Sequence, residues 1–402
     1  MRRPHPALPT LGISALVGFS TMFAATPAQA ATATTGTVVV PGGGYVEYKA
    51  ATGKVNNLVI TRSGDVVTFD DSVKLKAGKG CAAVPGHTTV VTCTVPDPER
   101  VIVTLGDRND TFVNAGGLRL HAYGGSGNDT LTGGTGNDKL DGGTGKDKLY
   151  GNDGNDKLYG QAGNDLHDAG AGNDELAGGD GNDTLVGRTG SDSIFPGAGR
   201  DVVWAGADSD RIIDSGAKSA DVFHGGTGTD IVSYTYRTKG VVVDLDGVKG
   251  DDGEPGEGDT VDIDVESLVG GRGNDRLTGN ATANVLSGSA GNDVLVGGDG
   301  DDWIDGSWGS DVIDGGAGAD HVDGGDDKDS VRGGAGNDVA FGNNGFDTVY
   351  GDDGDDELFG WRQDDGGPPT EVDDFGGGDL YGGAGSDLCE PGNRGIEIDC
   401  ER

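Results

Sequence analysis

The sequence predicts an all-β solenoid, a stack of nine-residue units in two arrays preceded by a small β-rich N-terminal region. Three observations predict it. Glycine supplies 81 of 402 residues, too many for an ordinary core to order, because glycine loses the most conformational freedom on folding. Over two long stretches an aspartate and an apolar residue, two places apart, recur on a nine-residue ruler, as in GGTGNDKLDGGTGKDKLYGNDGNDKLYG from Gly133. Finally, segments such as Thr130-Leu131-Thr132 alternate with the period of two that marks a strand, and no helix-period stripe competes with them.

Charge narrows the function classes. Lys and Arg number 29 against 68 Asp and Glu, a formal net charge of -39, so compaction is opposed by self-repulsion unless cations neutralise it. No basic stripe is present for phosphate contacts, which argues against nucleic acid.

Residues 1–30 open with Arg2 and Arg3, continue through an apolar run around Leu11 to Ala25 and end on Ala28-Gln29-Ala30. This is the pattern of a signal peptide cleaved after Ala30. The run is short for a span and is broken by Ser14, Gly18, Ser20 and Thr21, and no later stretch is apolar enough to cross a bilayer. The expected localisation is secreted. Four cysteines remain after cleavage, an even number that in an exported chain reads as two disulfides. Three pairings are open, and proximity favours Cys81 with Cys93 and Cys389 with Cys400.

Residues 31–123 hold short β-rich runs, among them YVEYKA, NNLVITRSGDVVTF and RVIVTLGD, separated by Gly, Pro and Asp. They read as an N-terminal cap, which a solenoid needs to protect its terminal rung. LGDRNDTFV, from Leu105, already resembles a decayed unit.

The first array spans 124–232. Its acidic column, in the sixth place of each unit, holds Asp129, Asp138, Asp147, Asp156, Asp165, Asp174, Asp183, Asp192 and Asp201 as candidate ligands, with Asp210 next in line. Two places on lies the apolar column of Leu131, Leu140, Leu149, Leu158, His167, Leu176, Leu185, Ile194 and Val203. The glycines of the G-G-x-G-x-D half can take positive φ and turn their carbonyls to one side. Stacked units therefore gather carbonyl oxygens beside a carboxylate in each turn, while the apolar column forms a thin core. An oxygen-only donor set on a flexible loop suits multiple Ca²⁺ ions better than Mg²⁺, and softer metals would want His or Cys.

GGSGNDTLT (Gly124 to Thr132) and GGTGNDKLD (Gly133 to Asp141) carry G-G-x-G-x-D-x-U-x in full and resemble the RTX, or hemolysin-type, calcium-binding repeat. The resemblance implies a parallel β-roll in which two units make one coil and calcium lies between turns along each edge. It implies that Asp129, Asp147 and Asp165 share one edge and Asp138, Asp156 and Asp174 the other, with carbonyls of glycines such as Gly127 and Gly136 as further ligands. The N-terminal signal makes the chain similar to exported RTX proteins of actinobacterial type.

Some units depart from the pattern. GNATANVLS (Gly279 to Ser287) has Thr282 and Asn284 in the places of glycine and aspartate, which puts its site in doubt. Asp208 and Asp327 stand in glycine places, so distorted or end-like turns are expected there. His167 in the core column reads as a local disturbance rather than a ligand, because one isolated imidazole makes a poor site.

Residues 233–269 break the ruler and resemble the spacer between RTX blocks. The acidic run from Asp244 to Asp259 lacks EF-hand spacing, and it reads as a solvated loop, with an extra Ca²⁺ as the alternative. The second array spans 270–360, with Asp275, Asp293, Asp302, Asp311, Asp320, Asp338, Asp347 and Asp356 as candidate ligands and Asp329 in the same column. Residues 361–402 combine a second acidic insertion, one last unit and the Cys389/Cys400 pair, and read as a C-terminal cap.

No H-E-x-x-H, G-x-S-x-G or P-loop motif occurs, and the segments outside the arrays are short for most catalytic domains. The chain is expected to be a secreted calcium-binding module with a structural or interaction role toward a cell-surface or matrix partner, and not an enzyme. The alternative is an extracellular enzyme acting on polysaccharide or protein, with its site on the roll or cap. Whether the two arrays form one rod is open at this level.

Overall fold

The computed structural model describes residues 35–215, 218–360, 379–390, 397–398 and 400. The signal-like segment 1–30 and the acidic insertion 361–378 lie outside them. The described residues contain strands, turns and bends and no helix, so none is long and apolar enough to cross a membrane.

The solenoid follows from the ruler. Each unit is a six-residue turn leading into a short strand, and two units close one coil, so in the regular coils each residue stacks on the residue 18 further on. Leu131 pairs with Leu149 on one face, and Leu140 pairs with Leu158 on the other, all in parallel register. About 14 turns stack across the repeat region. The apolar column points inward from both faces, and Leu131, Leu140, Leu149, Leu158, Leu176 and Leu185 are all fully buried. This core is one side chain thick on each face.

Positive φ is concentrated in the second and fourth places of the turn. Gly143 and Gly145 adopt φ 103° and 135°, and a Cβ added to Gly145 would lie 1.9 Å from the carbonyl oxygen of Gly127 in the coil before. Asp208 and Asp327 correct the expectation of distorted turns. They take φ 77° and 78° in the fourth place, a left-handed conformation that aspartate tolerates better than most residues, and the flanking ladders keep their register. His167 likewise leaves the ladder undisturbed, pairing with Leu149 and Leu185. Its imidazole is fully buried with neither nitrogen hydrogen-bonded, and burial pushes its pKa down to about 3, which keeps it neutral.

The N-terminal region closes the first coil. Antiparallel hairpins join Gly36–Gly42 to Tyr45–Lys49 and Asn57–Ser63 to Val66–Asp70, and a disulfide joins Cys81 to Cys93. Tyr45–Lys49 then lies parallel on Arg100–Asp107, and Asn57–Ser63 lies parallel on Thr111–Asn114. Both of those strands pair in turn with the first coil of the array, so LGDRNDTFV is a working rung.

The two arrays are one rod. One face is a single sheet that runs from the N-terminal region to Leu388–Glu390. It crosses the spacer by a step in which Ile231–Ser233 pairs with Ser267–Val269, and Ser267–Val269 with Val285–Ser287. On the opposite face Val222–Thr227 pairs with Thr260–Val261, and Val242–Asp244 pairs with Arg276–Thr278. Antiparallel bridges of Asp252 with Asp259 and of Gly253 with Val242 span the gap between them. The expectation of a solvated acidic loop is therefore corrected, since Asp252, Glu254, Glu257 and Asp259 are buried. The apolar residues of the spacer, Val243, Val261 and Leu268 among them, are core and draw the acidic run in with them. At the far end a second disulfide joins Cys389 to Cys400.

Candidate metal-binding edges

Each edge of the rod is a column of turns, and the sixth-place aspartates line both columns. The first edge carries Asp129, Asp147, Asp165, Asp183 and Asp201 and, beyond the spacer, Asp275, Asp293, Asp311 and Asp347. The second carries Asp138, Asp156, Asp174 and Asp192, then Asp302, Asp320, Asp338 and Asp356. All are at most 3% exposed.

One oxygen of each carboxylate has a protein partner. The N–H of Asp129 donates to Oδ1 of Asp147 at 2.7 Å, and that of Asp147 to Oδ1 of Asp165 at 2.8 Å. On the second edge the N–H of Asp138 donates to Asp156 at 2.7 Å, and that of Asp156 to Asp174 at 2.6 Å. The second array repeats this from Asp275 to Asp293 and from Asp302 to Asp320. Every aspartate thus caps the backbone of the coil before it.

The other oxygen behaves differently. In Asp129, Asp147, Asp156, Asp165, Asp174, Asp183, Asp192 and Asp201, Oδ2 is buried with no hydrogen-bond partner, and so it is in Asp293, Asp302, Asp311, Asp320, Asp338, Asp347 and Asp356. A buried, unpartnered carboxylate oxygen is costly unless a cation neutralises it. Beside each lies a small oxygen-lined cradle. A Cβ on Gly151 would sit 2.3 Å from Asp156 Oδ2 and 2.4 Å from the carbonyl oxygen of Ala169, and one on Gly160 would meet Asp165 Oδ2 at 2.4 Å and the Gly178 carbonyl at 2.5 Å. Glycine in the first place keeps that space open. Burial is the main cause that raises these carboxyls, to about 7 for Asp147 and Asp156 and about 8 for Asp192 and Asp201. Backbone N–H groups oppose the rise, and carboxylates one coil away add to it. Hard oxygens, negative charge and a cradle repeated at every coil fit Ca²⁺, held by the sixth-place carboxylates and turn carbonyls.

Two of the predicted ligands differ. Asp138 Oδ2 accepts the N–H of Gly134 at 2.8 Å, and Asp275 Oδ2 accepts that of Gly271 at 2.6 Å. Both oxygens of these two residues are therefore committed to backbone. Asn284 is committed as well, with Oδ1 accepting the N–H of Asn280 and Nδ2 donating to the carbonyl of Glu266.

Sequence reasoning left Asp110, Asp230 and Asp387 out of the columns, yet each presents an unpartnered Oδ2, as do Asp210 and Asp329, which the ruler placed there. Asp110 lies in the decayed unit, Asp230 is displaced from the ruler by the two extra residues before Asp221, and Asp387 follows the second insertion. A further ladder had its signal in the asparagine that precedes many of these aspartates. Asn128 Oδ1 accepts the N–H of Lys146 at 2.9 Å, and Asn155 Oδ1 accepts that of Asn173 at 3.1 Å. These amides stitch successive turns along the outer surface.

A parallel solenoid with a carboxylate column on each edge, repeating every nine residues, is the architecture of a nonapeptide-repeat calcium-binding roll. The RTX calcium-binding nonapeptide repeat matches at 123–158, 141–176, 177–212, 215–234, 263–295, 278–313, 305–340 and 332–366, more than half of the chain. The chain belongs to this family, and it is a calcium-binding repeat protein. Comparison with curated proteins gave no match.

Proposed function

We propose that this chain is exported and folds its roll on meeting extracellular calcium, there serving as a structural or interaction module toward a cell-surface or matrix partner. The observation that carries the reading is the column of buried Asp Oδ2 atoms along each edge, which no protein group neutralises. Inside a cell, free calcium is too low to fill sites tuned to the roughly millimolar range of extracellular modules, so the acidic arrays stay extended during export. Outside, binding free energy becomes folding free energy. The signal-like residues 1–30 and the two disulfides support an oxidising destination. The test is far-UV circular dichroism of the mature chain during a calcium titration from EDTA, with magnesium as control. A cooperative gain of β signal specific to calcium is expected, and full β signal in EDTA overturns the reading.

A further inference from the structure

Between Asp214 and Asn284 the first edge changes character, because protein groups do what a cation does elsewhere, and the second edge follows one coil later, after Asp230. Asp221 and Asp259 continue the first-edge ladder, with the N–H of Asp201 donating to Asp221 and that of Asp221 to Asp259. Their second oxygens are not orphaned. Ser219 Oγ donates to Asp221 Oδ2 at 3.0 Å, and the buried Tyr234 hydroxyl donates to Asp259 Oδ2 at 3.2 Å. The neighbouring acids Asp214, Glu254 and Glu257 are held by Arg237, whose side chain is 3% exposed. Its Nη2 donates to Asp214 Oδ2 at 2.5 Å and to Glu257 Oε1 at 2.6 Å, and Nη1 lies 3.8 Å from Glu254 Oε1. Lys239 and Lys218 approach the far side of Glu254 at 3.2 and 3.5 Å. On the second edge the same level holds Glu266, whose Oε2 accepts the N–H of Asp230, and then the fully committed Asn284.

We infer that the spacer is a metal-independent clamp, in which the Arg237 guanidinium takes the place of calcium and divides the rod into two separately calcium-filled blocks. The unpartnered Oδ2 atoms stop at Asp201 and Asp230 and resume at Asp293 and Asp302 on the respective edges. A guanidinium suits the role because it stays charged at any physiological pH and its planar fork reaches two carboxylates at once. The clamp also has a core of its own. Tyr234, Val241, Val243, Leu245, Val261, Val265 and Leu268 are buried within a span of 35 residues, whereas an array unit buries one apolar column residue in nine. Apolar burial therefore stabilises this level beyond what an array unit has. Among the described residues, the one fully buried acidic group here that could gather round an ion, Asp214, Glu257 and Asp259, is already bonded to Arg237 and Tyr234.

The inference rests on the calcium reading of the arrays, and hydrogen exchange with mass spectrometry on the full mature chain separates the two. In EDTA, amides of 230–245 and 259–269 are expected to exchange at least about a hundredfold more slowly than free peptide, while array amides such as 148–160 and 312–324 exchange freely until calcium is added. Rapid exchange of the spacer in EDTA overturns the clamp and leaves the calcium reading standing. Slow exchange everywhere in EDTA overturns both. Arg237→Met is expected to abolish spacer protection in EDTA, and Tyr234→Phe to weaken it, with array protection in calcium retained in Tyr234→Phe. Unchanged spacer protection in Arg237→Met refutes the role of the guanidinium.

Discussion

Asp156→Asn separates an ion ligand from a structural cap, because the two roles predict opposite signs in EDTA. Asp156 Oδ1 accepts the N–H of Asp138, and Oδ2 has no partner. Asparagine keeps the acceptor and removes the charge, and Asn284 shows that the fold accommodates the amide, whose Nδ2 reaches the carbonyl one coil back at 3.2 Å. The carboxylates of Asp138 and Asp174 lie one strand spacing away, about 4.8 Å. At an effective dielectric near 20, two unit charges so placed repel by about 3 kcal/mol. Asp156 titrates near 7, so at about pH 8 it is mostly charged in the calcium-free roll, and removing that charge is expected to stabilise the apo state by about 1–3 kcal/mol. In calcium the same change removes a ligand from the adjoining sites, at about tenfold in affinity or 1.4 kcal/mol for each ion affected. Circular dichroism reads both arms, as the residual β signal in EDTA and as the urea midpoint in saturating calcium. A crossover is expected, with the variant keeping more β signal than wild type in EDTA and unfolding at lower urea in calcium. A loss in both would refute the ligand role and leave Asp156 as a backbone cap.

Leu158→Asp replaces a fully buried member of the core column, losing about 2–5 kcal/mol of packing and burying a carboxylate out of reach of the edges. Saturating calcium is expected not to restore its β signal. Gly163→Ala forces a Cβ to within 1.4 Å of the Gly145 carbonyl oxygen at φ 147°, and should cost more than about 3 kcal/mol in calcium. Gly136→Ala, whose Cβ would meet nothing closer than 3.3 Å, should cost under about 1 kcal/mol by the same denaturation assay. The pH dependence follows from the raised carboxyls. With folded values of about 6 to 8 and unfolded values near 3.9, the folded state binds more protons across that window. Calcium-free stability should therefore fall as pH rises from about 4 to about 8, and acidification in EDTA should raise the β signal. The calcium midpoint should move to higher concentration as pH falls through that range, because protons compete for Oδ2.

Both edges and the core were legible in the sequence because nine is half of the coil length. Once the resemblance supplies two units to the coil, any two aspartates 18 apart must share an edge, as Asp129 and Asp147 do, and spacing then sorts the columns. What spacing could not convey is the division of labour within one carboxylate. The capping role of Oδ1 depends on the backbone of the neighbouring coil, and in the turns of Asp138 and Asp275 the second-place Gly134 and Gly271 lack the positive φ of the regular turns and donate their N–H groups to the second oxygen as well. The spacer was misread for a related reason. Its acidic residues look solvated in sequence, yet the alternating apolar residues of VVVDLD and TVDIDVESLV place strands in the solenoid and bury the acids between them. Arg237 has no motif, and its meaning comes only from the carboxylates that the fold gathers around it.

The one-sided chain of hydrogen bonds gives the rod a direction. Each sixth-place aspartate caps the N–H of the coil before it, so a coil is complete at its leading end only when the next coil has formed. A cation held between coils would draw on both for oxygen ligands, and in a one-dimensional array such nearest-neighbour coupling makes stability spread from whatever rung is already ordered. The N-terminal cap supplies one such rung, with Asn56 donating its N–H to Asp110, and the Arg237 clamp supplies another in the middle of the chain. Two ordered starting points shorten the run of coils that calcium must complete on each side. That is how a chain whose arrays repel themselves at neutral pH can nonetheless close into a single rod.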